Sequence, residues 1–315
     1  MNIPISDDEC RHEAGSGRFW SESWYLDWFD AQGCMGGYVH LSIWPNLGHA
    51  WFWCGLVQKE ERPVLIVDQE IPIPKAPGLE IRSTGLWADL ITEVPFEYFS
   101  VEVEAFGVAL DSPSDSYRGM RGERLPVGLD LGWEIDSPLL ASETTEPWVF
   151  RYEFINNYEI PCRVAGEIQV GDRRIKVDGW GQRGHSWAER DWWSSAWTWV
   201  SGRLEDGERF HLLVTEGSEV GIGYRSTPRG LLEEFEFSSS VEFGDMQIPV
   251  GGCITLGSQS FELDPIEWAP VVIIDPDTDF VSRLPRGLVA VSSSDGRCGY
   301  AWVEYNQPQG LPSSL

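Results

Sequence analysis

The 315-residue sequence predicts an all-β protein of antiparallel barrels or sandwiches, and three observations carry that prediction. Apolar and polar residues alternate with period two through most segments. Those segments are rich in β-branched and aromatic residues, and turn-forming residues interrupt them at short intervals. No stretch keeps an apolar spacing of three and four, so helices should be few and short.

In chain order, YVHLSIW (38–44), RPVLIVD (62–68), FSVEVEAFGVAL (99–110), CRVAGEIQV (162–170), RFHLLVTEG (209–217) and CGYAWVEY (298–305) read as strands. The turn chemistry of AQG (31–33), VGDRR (170–174), EDGE (205–208) and SDGR (294–297) reads as hairpin connections. ERDWWSSAW (189–197) is the least regular segment and has room for a single helical turn, whereas SAWTWVSGRLEDGERFHLLV reads as a strand, a turn and a returning strand. The proline-bearing stretches SPSDSYRGMRGERLP (112–126) and DSPLLASETTEP (136–147) are candidates for rim loops or an interdomain connection. They place a division near residue 150, giving one β unit over 1–150 and a second over 151–315. A faint repeat fits that division: segments 20–43 and 187–214 each give a Trp and charged cluster, a Trp-studded strand, a tight turn and a second strand.

Fifty acidic against 23 basic residues leave a formal charge of -27, which repels phosphate backbones and anionic lipid surfaces. Nucleic acid is therefore excluded as an expected partner. The first residues, MNIPISDDECRHEAGSGRF, are acidic where a secretory signal needs a basic and then an apolar segment, and no apolar run reaches spanning length. A cytoplasmic protein without stable membrane insertion is expected, with a homodimer left open. The six cysteines lie far apart with no CxxC pair, which suits structural thiols. The five histidines show no HxH or HExxH spacing, and glycine-rich phosphate loops are absent. Neither a metal nor a nucleotide cofactor is expected.

Tryptophan is the outlier, with 17 in the chain and six of them between Asp178 and Val200. Trp24, Leu26 and Trp28 share one strand face; Trp197 and Trp199 share another with Ser201. Most of these indoles are expected to fill thick cores. His185 stands between Arg183 and Trp187, with Arg190 and Asp191 close behind. One reading makes it a structural histidine with those charged residues as ionic partners. The other makes it a general acid or base whose tautomer Asp191 fixes, beside indole faces that stabilise positive charge. Ser186 has no GxSxG elbow and faces the opposite way on an extended strand. His40, in phase with Tyr38, Ser42 and Trp44, reads as a core or rim histidine. Glu22, Asp27 and Asp68 are plausible pocket carboxylates that nothing in their spacing singles out.

GWGQRGHSWAERDWW (179–193) resembles the G-x-G-x-R-D-H-S-W-G-x-R-D-W motif of the AttH-like and carotenoid 1,2-hydratase (hydroxyneurosporene synthase) superfamily. WYLDWFDAQGCMGGYVHLSIWPNLGHAWFW and PCRVAGEIQVGDRRIKVDG extend the likeness over most of the chain. The resemblance implies two lipocalin-like (calycin) antiparallel β-barrels in tandem. It also implies acid–base addition of water to an isoprenoid double bond, with His185 and Trp187 matching the His-x-Trp pair of the hydratases. Gly184 departs from the motif, standing where relatives commonly carry Asp, and the hydratases' downstream Tyr-x-Asp pair has no match.

Together these features point to a cofactor-independent hydratase, dehydratase, cyclase or isomerase acting on a hydrophobic terpenoid, steroid, polyketide or aromatic ligand. His185 would be the acid/base and Asp191 its orienter, with Arg183 and Arg190 as polar anchors. Trp187, Trp192, Trp193, Trp197, Trp24, Trp28 and His40 would contact the ligand. A non-catalytic lipocalin-like carrier is the alternative reading. A carbohydrate-active β protein with exposed Trp platforms is the third.

Overall fold

The computed structural model describes residues 6–136, 150–151, 156–216, 221–227, 230–233, 236–275 and 277–309. Strands dominate these residues, and helix is confined to short 3-10 turns. Among the described residues no helix is long and apolar enough to cross a membrane, which says nothing of crossing by strands.

Eleven strands make the first antiparallel sheet. They are β1 (Trp20–Asp30), β2 (Met35–Trp44), β3 (His49–Gln58), β4 (Val64–Ile71), β5 (Ile81–Ser83), β6 (Leu86–Val94), β7 (Tyr98–Leu110), β8 (Gly122–Ile135), β9 (Phe150–Arg151), β10 (Asn157–Val170) and β11 (Arg173–Glu189). Their order is β4-β3-β2-β1-β11-β10-β8-β7-β6-β5, with β9 paired to β10. Val64 and Leu65 of β4 pair with Ala109 and Val108 of β7, closing the first eight strands of that order into a ring.

The second sheet holds β12 (Trp197–Leu204), β13 (Arg209–Thr215), β14 (Gly221–Thr227), β15 (Gly230–Glu233), β16 (Phe237–Phe243), β17 (Pro249–Leu256), β18 (Gln259–Trp268), β21 (Arg286–Ser293) and β22 (Cys298–Pro308). The hairpin of β19 (Val271–Ile274) and β20 (Val281–Leu284) joins it through β22. Its order, β15-β14-β13-β12-β22-β21-β18-β17-β16, repeats the winding of the first sheet. In both, four successive strands form a meander whose first member pairs with the last strand of the unit. The repeat read in segments 20–43 and 187–214 falls on the leading hairpins of the two sheets, β1–β2 and β12–β13.

The turns at 31–33, 170–174, 205–208 and 294–297 all join neighbouring antiparallel strands. The position of the division differs from the expectation near residue 150. Strands β10 and β11 lie beyond that point yet hydrogen-bond to β8 and β1, so the chain passes from the first sheet to the second between Glu189 and Trp197. The motif strand thus belongs to the first sheet. Residues 112–126 lie within a hairpin between β7 and β8, so that stretch is a rim loop rather than a connection between units. Of the 136–147 stretch, all but Asp136 lies outside the described residues.

Strands β1 to β3 are buried almost throughout their length. A strand covered on both faces needs apolar side chains in both phases, which is why these segments read as near-continuous aromatic and aliphatic runs. One phase, with Trp24, Leu26, Trp28, Leu41 and Phe52, fills the first barrel together with Trp133 and Ile160. The other, with Phe29, Tyr38, Trp44 and Trp53, packs against Trp199, Leu288 and Trp302 of the second sheet. Twelve of the seventeen tryptophans are buried, and only Trp148 lies outside the described residues, so the indoles serve as core and wall rather than exposed sugar platforms. Each buried indole contributes about 4–6 kcal/mol of transfer free energy as an upper bound.

At the β1–β11 seam a Cβ on Gly181 would lie 2.0 Å from the Asp27 carbonyl oxygen, whereas one on Gly128 would meet nothing closer than 3.6 Å. Gly181→Ala should therefore lower stability by more than about 2 kcal/mol and Gly128→Ala by less than about 1, measured by urea unfolding. Equal costs would remove the seam's need for glycine.

Candidate functional site

Rows of residues across β1, β11 and β10 set up two polar centres on opposite faces of one sheet. Trp24, His185 and Tyr158 form one row and turn into the first barrel. The adjacent row, Tyr25, Gly184 and Glu159, turns toward the second sheet.

The second face bounds a pocket of about 260 Å³. The first sheet contributes Ser23, Tyr25, His40, Asn157, Glu159 and Ser186; the second contributes Trp197, Trp199, Leu213, Arg286 and Glu304; the connecting segment adds Arg190, Asp191 and Trp192. Gly184 makes the Glu159 carboxylate possible in its observed position, because a Cβ there would fall 2.5 Å from Glu159 Oε2. Gln182 Nε2 donates to that same oxygen at 3.1 Å.

Burial, reinforced by the negative charge of Glu304, outweighs the hydrogen bonds from Gln182, Asn157 and Trp199 and pushes Glu159 up to about 8. Burial likewise raises Glu304, against the opposing pull of Arg286, whose Nε lies 3.3 Å from Glu304 Oε1. The Arg286 guanidinium sits 4.8 Å from the ring centres of both Tyr38 and Trp53, so its charge is held by aromatic faces as well as by the carboxylate. Burial first, and then Arg286 and Arg190, holds His40 well below the ordinary imidazole range. Its Nδ1 has no hydrogen-bond partner among the described residues. Trp302 Nε1 donates to the Tyr25 hydroxyl at 2.8 Å.

The other face holds His185, fully buried inside the first barrel. Its Nδ1 lies 2.8 Å from the Asp8 carbonyl oxygen and its Nε2 lies 3.0 Å from Glu22 Oε1. His12 Nδ1 is 2.8 Å from the same Glu22 oxygen, and the His12 backbone N–H donates to it at 2.9 Å. His185 stacks on Trp24 with ring centres 4.4 Å apart, and His12 stacks on Trp187 at 3.7 Å. Arg183 pairs with Glu9 at 2.6 Å, both buried, and lies over Phe99 and Tyr158. The segment Ser6–Glu9 thus ties into the barrel through Asp8 and Glu9.

The structure separates residues that the sequence suggested as partners. Asp191 does not orient His185: it is exposed, and its Oδ1 accepts the backbone N–H groups of Trp193 and Ser194. The carboxylate on His185 is Glu22. Arg183 serves Glu9, while Arg190 donates to the Ser186 hydroxyl. Trp24, Trp28 and Trp187 belong to the first barrel. Trp192, Trp197, Arg190, Asp191 and His40 line the pocket between the sheets, with Trp193 packed in the cluster beside it. Sequence reasoning passed over Glu159, Tyr25, Arg286 and Glu304. Glu304 did leave a signal, as a lone acid within the otherwise apolar strand CGYAWVEY. No local spacing could have joined His12, Glu22 and His185, which the fold alone brings together.

The chain belongs to the family described as a domain of unknown function, DUF7064, whose pattern matches residues 6–309. No curated protein matches it in sequence. Among solved structures it is similar to a protein described as AttH from Nitrosomonas europaea, with 12% identity, TM-score 0.58, and 91% of this chain and 92% of that one covered. It is also similar to CghA, crystallised with Sch210972, with 9% identity, TM-score 0.59, and 92% and 89% covered. Kievitone hydratase from Nectria haematococca gives 12% identity, TM-score 0.57, and 90% and 88% covered. The fold is therefore that of the AttH-like, lipocalin-type proteins, as the resemblance implied.

Glu159 has a measurable consequence for stability. Its folded value of about 8 lies above the ordinary 4.5, so the folded state holds this proton more tightly than the unfolded state. The contribution to stability is complete below about 4.5 and is lost as pH rises toward about 8. In Glu159→Gln that part of the decline should vanish, which unfolding titrations at pH 5, 6.5 and 8 would test. An unchanged slope would mean that Glu159 does not titrate in this window.

Proposed function

We propose that the pocket between the sheets is the active site of an acid–base enzyme of the hydratase or dehydratase type, acting without a cofactor on a hydrophobic ligand that bears an alkene or an alcohol. The observation that carries this reading is a buried carboxylic acid, Glu159, in a pocket walled by Trp192, Trp197 and Trp199, where burial pushes it up to about 8. An acid in that range is largely protonated at neutral pH and can still give its proton up, which is the balance general acid catalysis needs.

In the hydration direction the Glu159 proton passes to one alkene carbon, and positive charge develops on the other. The indole faces stabilise that charge. Water adds to the cationic carbon and loses a proton to the Glu159 carboxylate, which restores the acid. Dehydration runs the same steps backwards, with Glu159 protonating the departing hydroxyl. His40 lines the same pocket, and its Nδ1, without a partner among the described residues, can receive a polar group of the ligand. That one solved structure of this fold is named a hydratase, and another was crystallised with a small organic compound, is in keeping with this assignment. His185 does not line this pocket, so the reading gives the acid–base role to Glu159.

The test is solvent labelling. Wild-type protein is incubated in deuterated, oxygen-18 water with an acyclic terpenoid alkene, a steroid alkene and a prenylated phenol, and products are weighed by mass spectrometry. At least one compound should gain solvent deuterium and oxygen, with the rate falling above about pH 8. Glu159→Gln should lower that rate by about 100- to 10,000-fold while leaving the fold intact. Compounds that bind wild-type protein and come back unlabelled would make it a carrier. Full activity in the variant would remove Glu159 from the chemistry.

A further inference from the structure

We infer that His12, Glu22 and His185 form a binding site for a divalent transition-metal ion, of the zinc or cobalt type, in the first barrel and apart from the pocket between the sheets. His12 Nδ1, one Glu22 carboxylate oxygen and His185 Nε2 lie within 4.8 Å of one another. Two of the separations are known individually: 2.8 Å from His12 Nδ1 to Glu22 Oε1, and 3.0 Å from His185 Nε2 to the same oxygen. Bonds of about 2.0–2.1 Å to a tetrahedral ion place donor atoms about 3.3 Å apart, so the two His–Glu separations need open by only a few tenths of an ångström, while the two ring nitrogens, within 4.8 Å of each other, would settle at the same spacing.

Hydrogen-bond chemistry leaves the lone pair of one ring nitrogen available to the ion. The Asp8 carbonyl oxygen, 2.8 Å from His185 Nδ1, can only accept, so Nδ1 carries a proton. A neutral imidazole with that proton turns the lone pair of Nε2 toward a carboxylate oxygen, setting lone pair against lone pair. Either a proton or a metal ion must lie between them. A histidine that donates one ring N–H to a backbone carbonyl while aiming its other nitrogen inward has the arrangement of metal-bound imidazoles.

The donors are also held in place before any ion arrives. His12 lies flat on Trp187, with ring planes 9° apart, and His185 lies flat on Trp24, with planes 16° apart. Two imidazole nitrogens and one carboxylate oxygen suit zinc and its neighbours rather than calcium or magnesium, which require mostly oxygen. With three protein donors, a water molecule would complete a tetrahedral shell. The His12 side chain is 22% exposed while those of Glu22 and His185 are at most 2% exposed, so an ion would enter past His12. Once bound, it would clasp the N-terminal segment carrying His12 to β1 and β11, alongside the Arg183–Glu9 pair.

The experiment uses the full-length protein, stripped with chelator and then titrated with zinc by calorimetry. A parallel titration with cobalt is followed by visible absorption, which reads nitrogen and oxygen coordination directly. About one equivalent of zinc should bind, the thermal midpoint should rise, and cobalt should develop the intense bands of a low-coordinate site. His12→Ala should weaken zinc binding by at least about 10-fold, and Glu22→Gln should do the same; the partly exposed position of His12 makes its variant the one expected to fold normally. Cys10→Ser, which removes the nearby exposed thiol, should leave binding unchanged. Absence of zinc and cobalt binding in wild-type protein would overturn the proposal and leave the triad held by protons alone. Binding that survives His12→Ala, or that is lost in Cys10→Ser, would overturn it as well.

Discussion

The β1–β11 pairing is the contact on which the rest of the structure depends, because this seam is covered on both faces. On one side lies the interior of the first barrel, and on the other lies the second sheet. Consecutive residues point opposite ways on a strand, so each residue from Arg183 to Trp187 goes to one interior or the other by parity alone. A shift of one residue in the Trp24–His185 register would exchange the two polar centres wholesale. Buried aromatic packing makes that shift costly, since it would drive Gln182 into the Trp24 layer and Arg183 toward the second sheet.

Because the middle of this seam, from Gly181 to His185, is buried, every charge near it must be neutralised locally or shift its protonation. Both solutions occur. Arg183 and Glu9 pair inside the barrel, and Glu9 is held below the ordinary carboxylate range by that arginine despite its burial. Glu159 has neutral hydrogen-bond donors and, among the described residues, no cation bonded to it, and its carboxyl moves up instead. The difference between a structural ion pair and a candidate catalytic acid here is thus the presence or absence of an arginine partner. Gly184 contributes by leaving out a side chain, since the space it vacates is the space the Glu159 carboxylate occupies.

The shared winding of the two sheets explains why the pocket lies where it does. In each unit the first strand pairs with the last, so the leading hairpins β1–β2 and β12–β13 are both central rather than peripheral. Their outward-facing aromatics, Tyr25 and His40 on one side and Trp197 and Trp199 on the other, then face each other across the interface. Where the wall of the first barrel meets the second sheet, small and polar residues leave a gap, and Ser23 and Ser186 line it. The same geometry accounts for Trp302, an indole of the second unit that reaches Tyr25 of the first and bonds its hydroxyl.

The sequence by itself determined the strand content, the four hairpin turns, the doubled leading hairpin and the concentration of indoles around His185. These are properties of local alternation and turn chemistry, which depend on residues a few positions apart. It also marked the motif strand through its resemblance to the AttH-like proteins. It did not determine where the first unit ends, because strand pairing is non-local: β11 reads as a sequel to residue 150 and yet completes the barrel that β1 begins. Nor did it assign partners to charges. Asp191 is six residues from His185 but turns back onto its own backbone, whereas Glu22 is 163 positions away and bonds the ring. Only the tertiary structure decided which carboxylate meets an arginine and which is left to shift, since that depends on which faces the barrel walls bring together and how completely they exclude water.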